Sequence, residues 1–290
     1  MNKQPHNTNF EENSETAKHN RGMFVDIHCH CLPEIDDGPG SIEQSLGLCR
    51  AIVRDRIKTV IATPHQLGMY NRDNSAKIIL RKVETLRKAL VENNIPLEVR
   101  AGADVRIDER ICELIKKDEV LTLGETGRYI LLELAPNVLI DIEPLLCELS
   151  AMGIRAIISH PERHLLLAAQ MRILNKWIES SACLQITAGS ILGKFGPIAQ
   201  KVSWQILQSP ATVIAATDSH NLSSRRPCMR AAFEVIRSKL GEEKARATCI
   251  DNPKRVLEGK DVRDSGIGTL SRGKNEDKRD KIRNYISVPG

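Results

Sequence analysis

The sequence predicts one parallel α/β domain, and three observations carry that expectation. From about residue 23 onward, short β-branched runs alternate with longer stretches of helical periodicity. No Pro-, Gly- or Ser-rich linker interrupts the alternation before about residue 260. Hydrophobic residues make up 41% of the chain but aromatic ones only 3%, so the core must be built from Ile, Leu, Val and Ala, as in strands buried on both faces. With right-handed crossovers, such a chain closes a barrel or spreads as a doubly wound open sheet.

The elements follow in order. Residues 24–28 read as the first strand and 41–55 as the helix after it. Strand 59–63 precedes a helix over 75–93, strand 97–101 a short helix near 109–117, and strand 129–134 a helix near 138–152. Strands 155–159, 183–187 and 212–217 alternate with helices near 168–180 and 196–208, and helices near 227–239 and 242–249 complete a domain over 23–258. Residues 1–22 are polar and poor in large apolar groups, so a disordered tail is expected there, and 259–290 are expected to form a second, basic one. Much of the net charge of +5 falls in that second tail, between Lys260 and Arg283, which points to a solvated tail and not to a nucleic-acid partner.

The N-terminal residues hold no apolar segment of a secretory signal, and no stretch approaches the roughly 18 apolar residues of a membrane span. The eight cysteines, at 29, 31, 49, 112, 147, 183, 228 and 249, lack the spacing of a disulfide framework. A reducing cytoplasm is therefore the expected compartment, with no membrane insertion. No internal repeat is visible.

Function is signalled by what ends the strands. The first finishes in His28-Cys29-His30, the second in Thr63-Pro64-His65, and the third is followed by Asp104; then come Glu133, Ser159-His160 and Asp218-Ser219-His220. In a parallel sheet or barrel the C-terminal strand ends share one face, so these side chains converge. Alternation along a strand points His28 with His30, and Asp218 with His220, toward the same side. Cys29 and Cys31 then face away, as packing residues. A lone histidine at a strand end is commonly a hydrogen-bonded core residue. Five of the chain's eight histidines at such ends fit that explanation poorly. Imidazole mixed with carboxylate suits Mn, Fe, Zn or Mg at a hydrolytic centre. In the loop after the first strand, the Asp36-Asp37 pair is either a turn former or a further source of ligands, and its position favours the latter.

Through DIHCHCLPEIDDGPGS, TVIATPH, AGADVRI, YILLEL, IISHPERH, QITAGSILGKFG, AATDSHN and IDNPKRVL, the chain over about 23–257 resembles the polymerase and histidinol phosphatase (PHP) superfamily. Within it, the resemblance is to the bacterial PHP-type protein-tyrosine phosphatases of capsule and exopolysaccharide operons. The resemblance implies a distorted (β/α)7 barrel with a centre of up to three divalent ions, manganese foremost. It implies His28, His30 and Asp218 on one ion, Asp37, His65 and His220 on another, and Glu133 and His160 on the third. Asp104 takes the bridging place where close relatives carry Glu, a departure of one methylene. Arg163 and Arg225 are implied to contact the phosphate.

The reaction so implied is attack by metal-activated hydroxide in line with the leaving phenolate, with His65 or His220 assisting proton transfer. The implied partner is the phosphotyrosine-bearing tail of a tyrosine autokinase that controls polysaccharide export; homo-oligomerisation stays open. Cys249 and Arg255 fit the spacing of a cysteine-dependent phosphatase loop, but that segment lacks its glycines and carries Pro253. The alternatives are a histidinol-phosphate or other small-molecule phosphoesterase, a nuclease, and a metal-binding module without turnover that binds a kinase.

Overall fold

A computed structural model describes residues 24–70, 74–136 and 138–263, so the expected tail over 1–22 and most of the one over 259–290 lie outside the described residues. The strands are β1 (Phe24–Cys29), β2 (Ile57–Ala62), β3 (His65–Gln66), β4 (Glu98–Ala101), β5 (Asp104–Arg106), β6 (Tyr129–Glu133), β7 (Arg155–Ile158), β8 (Cys183–Thr187) and β9 (Val213–Ala216). The helices are α1 (Ile42–Arg54), α2 (Ala76–Glu92), α3 (Ile111–Lys116), α4 (Glu143–Ala151), α5 (Leu165–Ala168), α6 (Met171–Glu179), α7 (Ala188–Ile191), α8 (Gly196–Gln208), α9 (Met229–Leu240), α10 (Glu242–Arg246) and α11 (Asn252–Leu257). Serines start two of the longest: Ser41 accepts from the Gln44 N–H at α1 and Ser75 from the Ile78 N–H at α2.

Every strand pair is parallel. One sheet runs β1-β2-β4 and the other β3-β5-β6-β7-β8-β9. A parallel bridge between Cys29 and Ser219 joins them, flanked by Asp218 N–H to His28 O (2.8 Å) and His30 N–H to Ser219 O (2.9 Å). Among the described residues the pairings thus form two parallel sheets and no continuous closed ladder.

Seven expected strands become nine because pairing resumes beyond the expected ends of two of them, 59–63 and 97–101. Pro64 has no N–H to donate, so β2 stops at Ala62 and pairing resumes at His65. Between β4 and β5 stands Gly102, where a Cβ would lie 2.7 Å from Ile61 Cγ2; only glycine lets the chain pass there. Among the helices, the expected 168–180 divides into α5 and α6. The expected 138–152 starts only at Glu143, with Pro144 in the first turn, and the expected 242–249 runs on to Leu257.

Side-chain alternation sorts the strands into an inner and an outer core. Tyr129 and Leu131, Ile157, Cys183, and Ile214 and Ala216 pack in the inner cluster with Val25, Ile27 and Ile61. The residues between them, such as Ile130, Leu132, Leu184, Ile186, Val213 and Ala215, join helix side chains including Leu149, Trp177, Ile206 and Ile236 in the outer core. Burying each of these large side chains contributes about 1.5–3 kcal/mol. Cys29 and Cys31 are fully buried in the outer core.

One boundary differs from expectation. Residues 259–263, expected in the basic tail, pack on the domain. Tyr129 Oη donates to Lys260 O (2.8 Å) and accepts from Val262 N–H (3.1 Å), while Asn252 bonds Arg263 through both N–H and C=O. Among the described residues, no helix is long and apolar enough to cross a membrane.

Candidate metal centre

The inner faces that are apolar at mid-strand turn polar at the C-terminal ends. Tyr129 and Leu131 lead to Glu133, Cys183 to Gln185 and Thr187, and Ile214 and Ala216 to Asp218. A register shift between Asp26 and Cys29 interrupts β1, and the rings of His28 and His30 converge, with Nε2 atoms 3.0 Å apart. His65 and Asp104 are paired across β3 and β5.

Three sets of side chains bring potential ligand atoms within 4.8 Å of one another: His30, Asp37, His65 and His220; His28, His30 and Asp104; and His65, Asp104 and Glu133. Asp218 Oδ1 stands 3.3 Å from His28 Nε2 and 3.5 Å from His30 Nε2. Asp37 Oδ1 lies 3.5 Å from His65 Nε2 and 3.1 Å from His220 Nε2. His30 thus faces two sets at once, whereas the sequence grouping gave it one. His160 joins none of the three sets; its Nε2 is 3.9 Å from Glu133 Oε1 and its ring stacks on His28 at 5.6 Å.

The electrostatics ask for cations. Both oxygens of Asp104 and Oδ1 of Asp218 are buried without a hydrogen bond of good geometry, an arrangement costing several kcal/mol unless positive charge compensates it. Burial alone would depress the His65 imidazole, yet hydrogen bonding and charge from Asp104 and Glu133 carry its pKa up to about 11. Burial would likewise raise Asp104 and Asp218, but the neighbouring His28, joined at Asp218 by Arg225 and Arg163, holds both carboxyls below the usual range. His160 is pushed down to about 3 by burial and then by Arg163, and burial with neighbouring His220 and His65 lowers His30. The ionised Asp104 and Asp218 carboxylates and the depressed imidazoles of His30 and His160 are the protonation states that ligate divalent metals, and His65 would reach the same state by losing its proton as a cation bound, so the residues fit the group.

Two arginines close the opposite side. Arg225 reaches Asp218 Oδ2 with Nη2 (2.6 Å) and Asp37 Oδ2 with Nη1 (3.2 Å). Arg163 pairs with the same Asp218 oxygen and lies over the Phe195 ring, 4.4 Å from its centroid. His160 and Asp218 both hold left-handed backbone, φ 31° and 51°, which non-glycine residues adopt at an energetic cost where the surroundings impose it.

Several residues that shape the site received no role from the sequence, and Asp36, read with Asp37 as a source of ligands, supports one instead. Gln185 Oε1 accepts from the ring of His28 at Nδ1 (3.0 Å) and from the His160 N–H (3.1 Å). Asp36 Oδ2 meets His30 Nδ1 at 2.7 Å and accepts the His65 N–H at 3.2 Å. Asp26 accepts the Thr217 N–H (2.9 Å), steadying the turn that carries Asp218, and Arg106 pairs with Glu133 at 2.8 Å. The available signal was a lone polar residue on an otherwise apolar strand, as in Cys183-Leu-Gln-Ile-Thr187. Partners that fix a ligating imidazole typically govern metal affinity by about 10–100-fold. Gln185→Ala is accordingly expected to weaken Mn²⁺ binding by that factor in calorimetric titration, with the circular dichroism spectrum unchanged.

The sequence model of the CpsB/CapC family of capsular polysaccharide synthesis matches residues 24–258, a span that holds every residue of the cluster. The chain belongs to the CpsB/CapC family. Its relatives include the tyrosine-protein phosphatase YwqE of Bacillus subtilis, 34% identical over 76% of this chain and 86% of YwqE. Another is the putative tyrosine-protein phosphatase CapC of Staphylococcus aureus, 32% identical over 72% of this chain and 82% of CapC. A solved structure from work on YwqE of Bacillus subtilis and CpsB of Streptococcus pneumoniae, described as metal-dependent tyrosine phosphatases, matches with a TM-score of 0.79. It is 31% identical and covers 82% of this chain and 96% of that one. The CpsB/CapC fold and the buried cluster at its strand ends thus occur together in this chain.

Proposed function

We propose that this CpsB/CapC family member is a metal-dependent protein-tyrosine phosphatase. The observation that carries the reading is the set of buried carboxylate oxygens without good hydrogen bonds, both of Asp104 and Oδ1 of Asp218, set among the His28, His30 and His65 rings and flanked by Arg163 and Arg225. The names of the relatives support it. His28, His30, Asp37, His65, Asp104, Glu133, His160, Asp218 and His220 would hold up to three divalent ions, with manganese the preferred one. Such ions lower the pKa of coordinated water and offset charge on a transferring phosphoryl group.

The chain's own groups do the rest. Arg163 and Arg225 bind the non-bridging phosphate oxygens, a task suited to planar guanidinium forks, and their present carboxylate partners already aim them into the site. Gln185 and Asp36 keep His28 and His30 in their ligating orientation. Whichever of His65 and His220 is not fully engaged as a metal ligand would assist proton transfer to the leaving phenolate oxygen. No nucleophilic thiol takes part. Cys249 is fully buried in a helical turn, and burial pushes its thiol pKa up, away from the thiolate a cysteine phosphatase needs.

The fold in this reading is a distorted (β/α)7 barrel over 23–258, with β2/β3 and β4/β5 each counted as one broken strand and the Cys29–Ser219 bridge as its seam. The substrate is a phosphotyrosine-bearing tail of a membrane-associated tyrosine autokinase that controls capsule or exopolysaccharide synthesis, met by this protein in the cytoplasm. The test is a substrate comparison with Mn²⁺-loaded protein. A phosphotyrosyl peptide is expected to exceed histidinol phosphate in kcat/KM by about 100-fold or more, within the discrimination a shaped pocket supplies. The reverse order would assign the site to a small amino-alcohol ester.

A further inference from the structure

Among the described residues nine large hydrophobic side chains are exposed, of which Met69, Leu80, Val91 and Leu222 lie apart from one another in the sequence. The other five, Val138, Ile140, Leu165, Leu166 and Ile198, are 42–65% exposed and belong to segments that follow the C-terminal ends of β6, β7 and β8. These segments adjoin one another and the phosphate side of the site. His164 Nε2 bonds Ala135 O (2.8 Å), tying the segment that carries Val138 and Ile140 to the turn that carries Arg163. Leu165 and Leu166 begin the helix directly after that turn. Ile198 lies in the first turn of α8, three residues beyond Phe195, on whose ring the Arg163 guanidinium rests. Apolar surface therefore begins where the cationic phosphate contact ends.

Resting on the phosphatase reading, we propose that this crescent is a docking surface for the apolar residues flanking the phosphotyrosine of a polypeptide substrate. The charge pattern selects that occupant. Arg163 and Arg225 take a dianion, and a chain anchored there by its phosphate must lay neighbouring residues on one side across Val138, Leu165 and Ile198. A small phosphate ester fills the charged floor and leaves the crescent in water. Burying two or three half-exposed aliphatic side chains against apolar partners is worth about tenfold in affinity.

The test uses the full-length, Mn²⁺-loaded protein and its Leu165→Ser/Ile198→Ser double variant. Three substrates are compared: a phosphotyrosyl peptide with Leu and Val beside the phosphotyrosine, the same peptide with Ser there, and p-nitrophenyl phosphate. Wild type is expected to show a KM about tenfold lower for the apolar peptide than for the serine peptide. The double variant is expected to lose that difference while its kinetics on p-nitrophenyl phosphate stay within twofold of wild type. Equal KM values for the two peptides with wild type overturn the docking surface and leave the phosphatase reading intact, as does a difference the double variant retains. The surface is also overturned, as an interface between copies, if the double variant dissociates an oligomer on size exclusion without changing peptide KM. Absence of turnover on all three substrates overturns the phosphatase reading, and the docking surface with it.

Discussion

His30→Ala is expected to lower turnover of an aryl phosphate by about 10³-fold, equivalent to roughly 4 kcal/mol of lost transition-state stabilisation. His30, like His65 and Asp104, belongs to two of the three ligand sets; its ring stacks on His220 at 3.8 Å, and its Nε2 lies against both His28 and Asp218. Its Nδ1 meets Asp36, so removing the ring also leaves that buried carboxylate without its main partner. Metal content by mass spectrometry should fall together with kcat, while the melting curve reports whether the fold persists. Full metal content with unchanged kcat would show that His30 packs the interior and does nothing more.

Arg225→Ala is expected to lower kcat/KM by about 10²–10³-fold, the range seen when one preorganised donor to a developing oxyanion is removed. The effect should be local, because the turn holding this residue is fixed by main-chain contacts: the His220 N–H donates to Arg225 O (3.0 Å) and the Arg225 N–H donates to Asn221 Oδ1 (3.1 Å). Its two terminal nitrogens engage different carboxylates, Asp218 and Asp37, so a single ammonium cannot reproduce the geometry. Arg225→Lys should therefore recover less than a tenth of the lost activity. Steady-state kinetics on a phosphotyrosyl peptide check both variants, and a lysine that restores wild-type kcat/KM would contradict a bidentate phosphate contact.

Much of this was legible in the chain because parallel strands convert sequence position into spatial position. An inner face that is apolar at Tyr129 and Leu131 and ionisable at Glu133 announces both the core and the site, and Ile214 through Asp218 repeats the pattern. What stayed hidden depends on contacts between distant residues. Gln185 reaches His28 across 157 positions and Asp26 reaches Thr217 across 191, and neither stands at a strand end. The Asp36-Asp37 pair read as a source of ligands, but which of the two would buttress His30, as Asp36 does, no local pattern discloses. The short strands that resume after Pro64 and Gly102 are too brief for periodicity to register. Residues 259–263 read as tail by composition, yet Tyr129 and Asn252 offer them hydrogen bonds no local pattern discloses.

The most direct test is phosphate release from a phosphotyrosyl peptide by full-length protein stripped with a chelator, before and after Mn²⁺ is restored. A metal-dependent tyrosine phosphatase shows no release from the stripped protein and full release on restoration, with His30→Ala failing to recover. Release that persists in the stripped protein, or stays absent from metal-loaded protein, would contradict it.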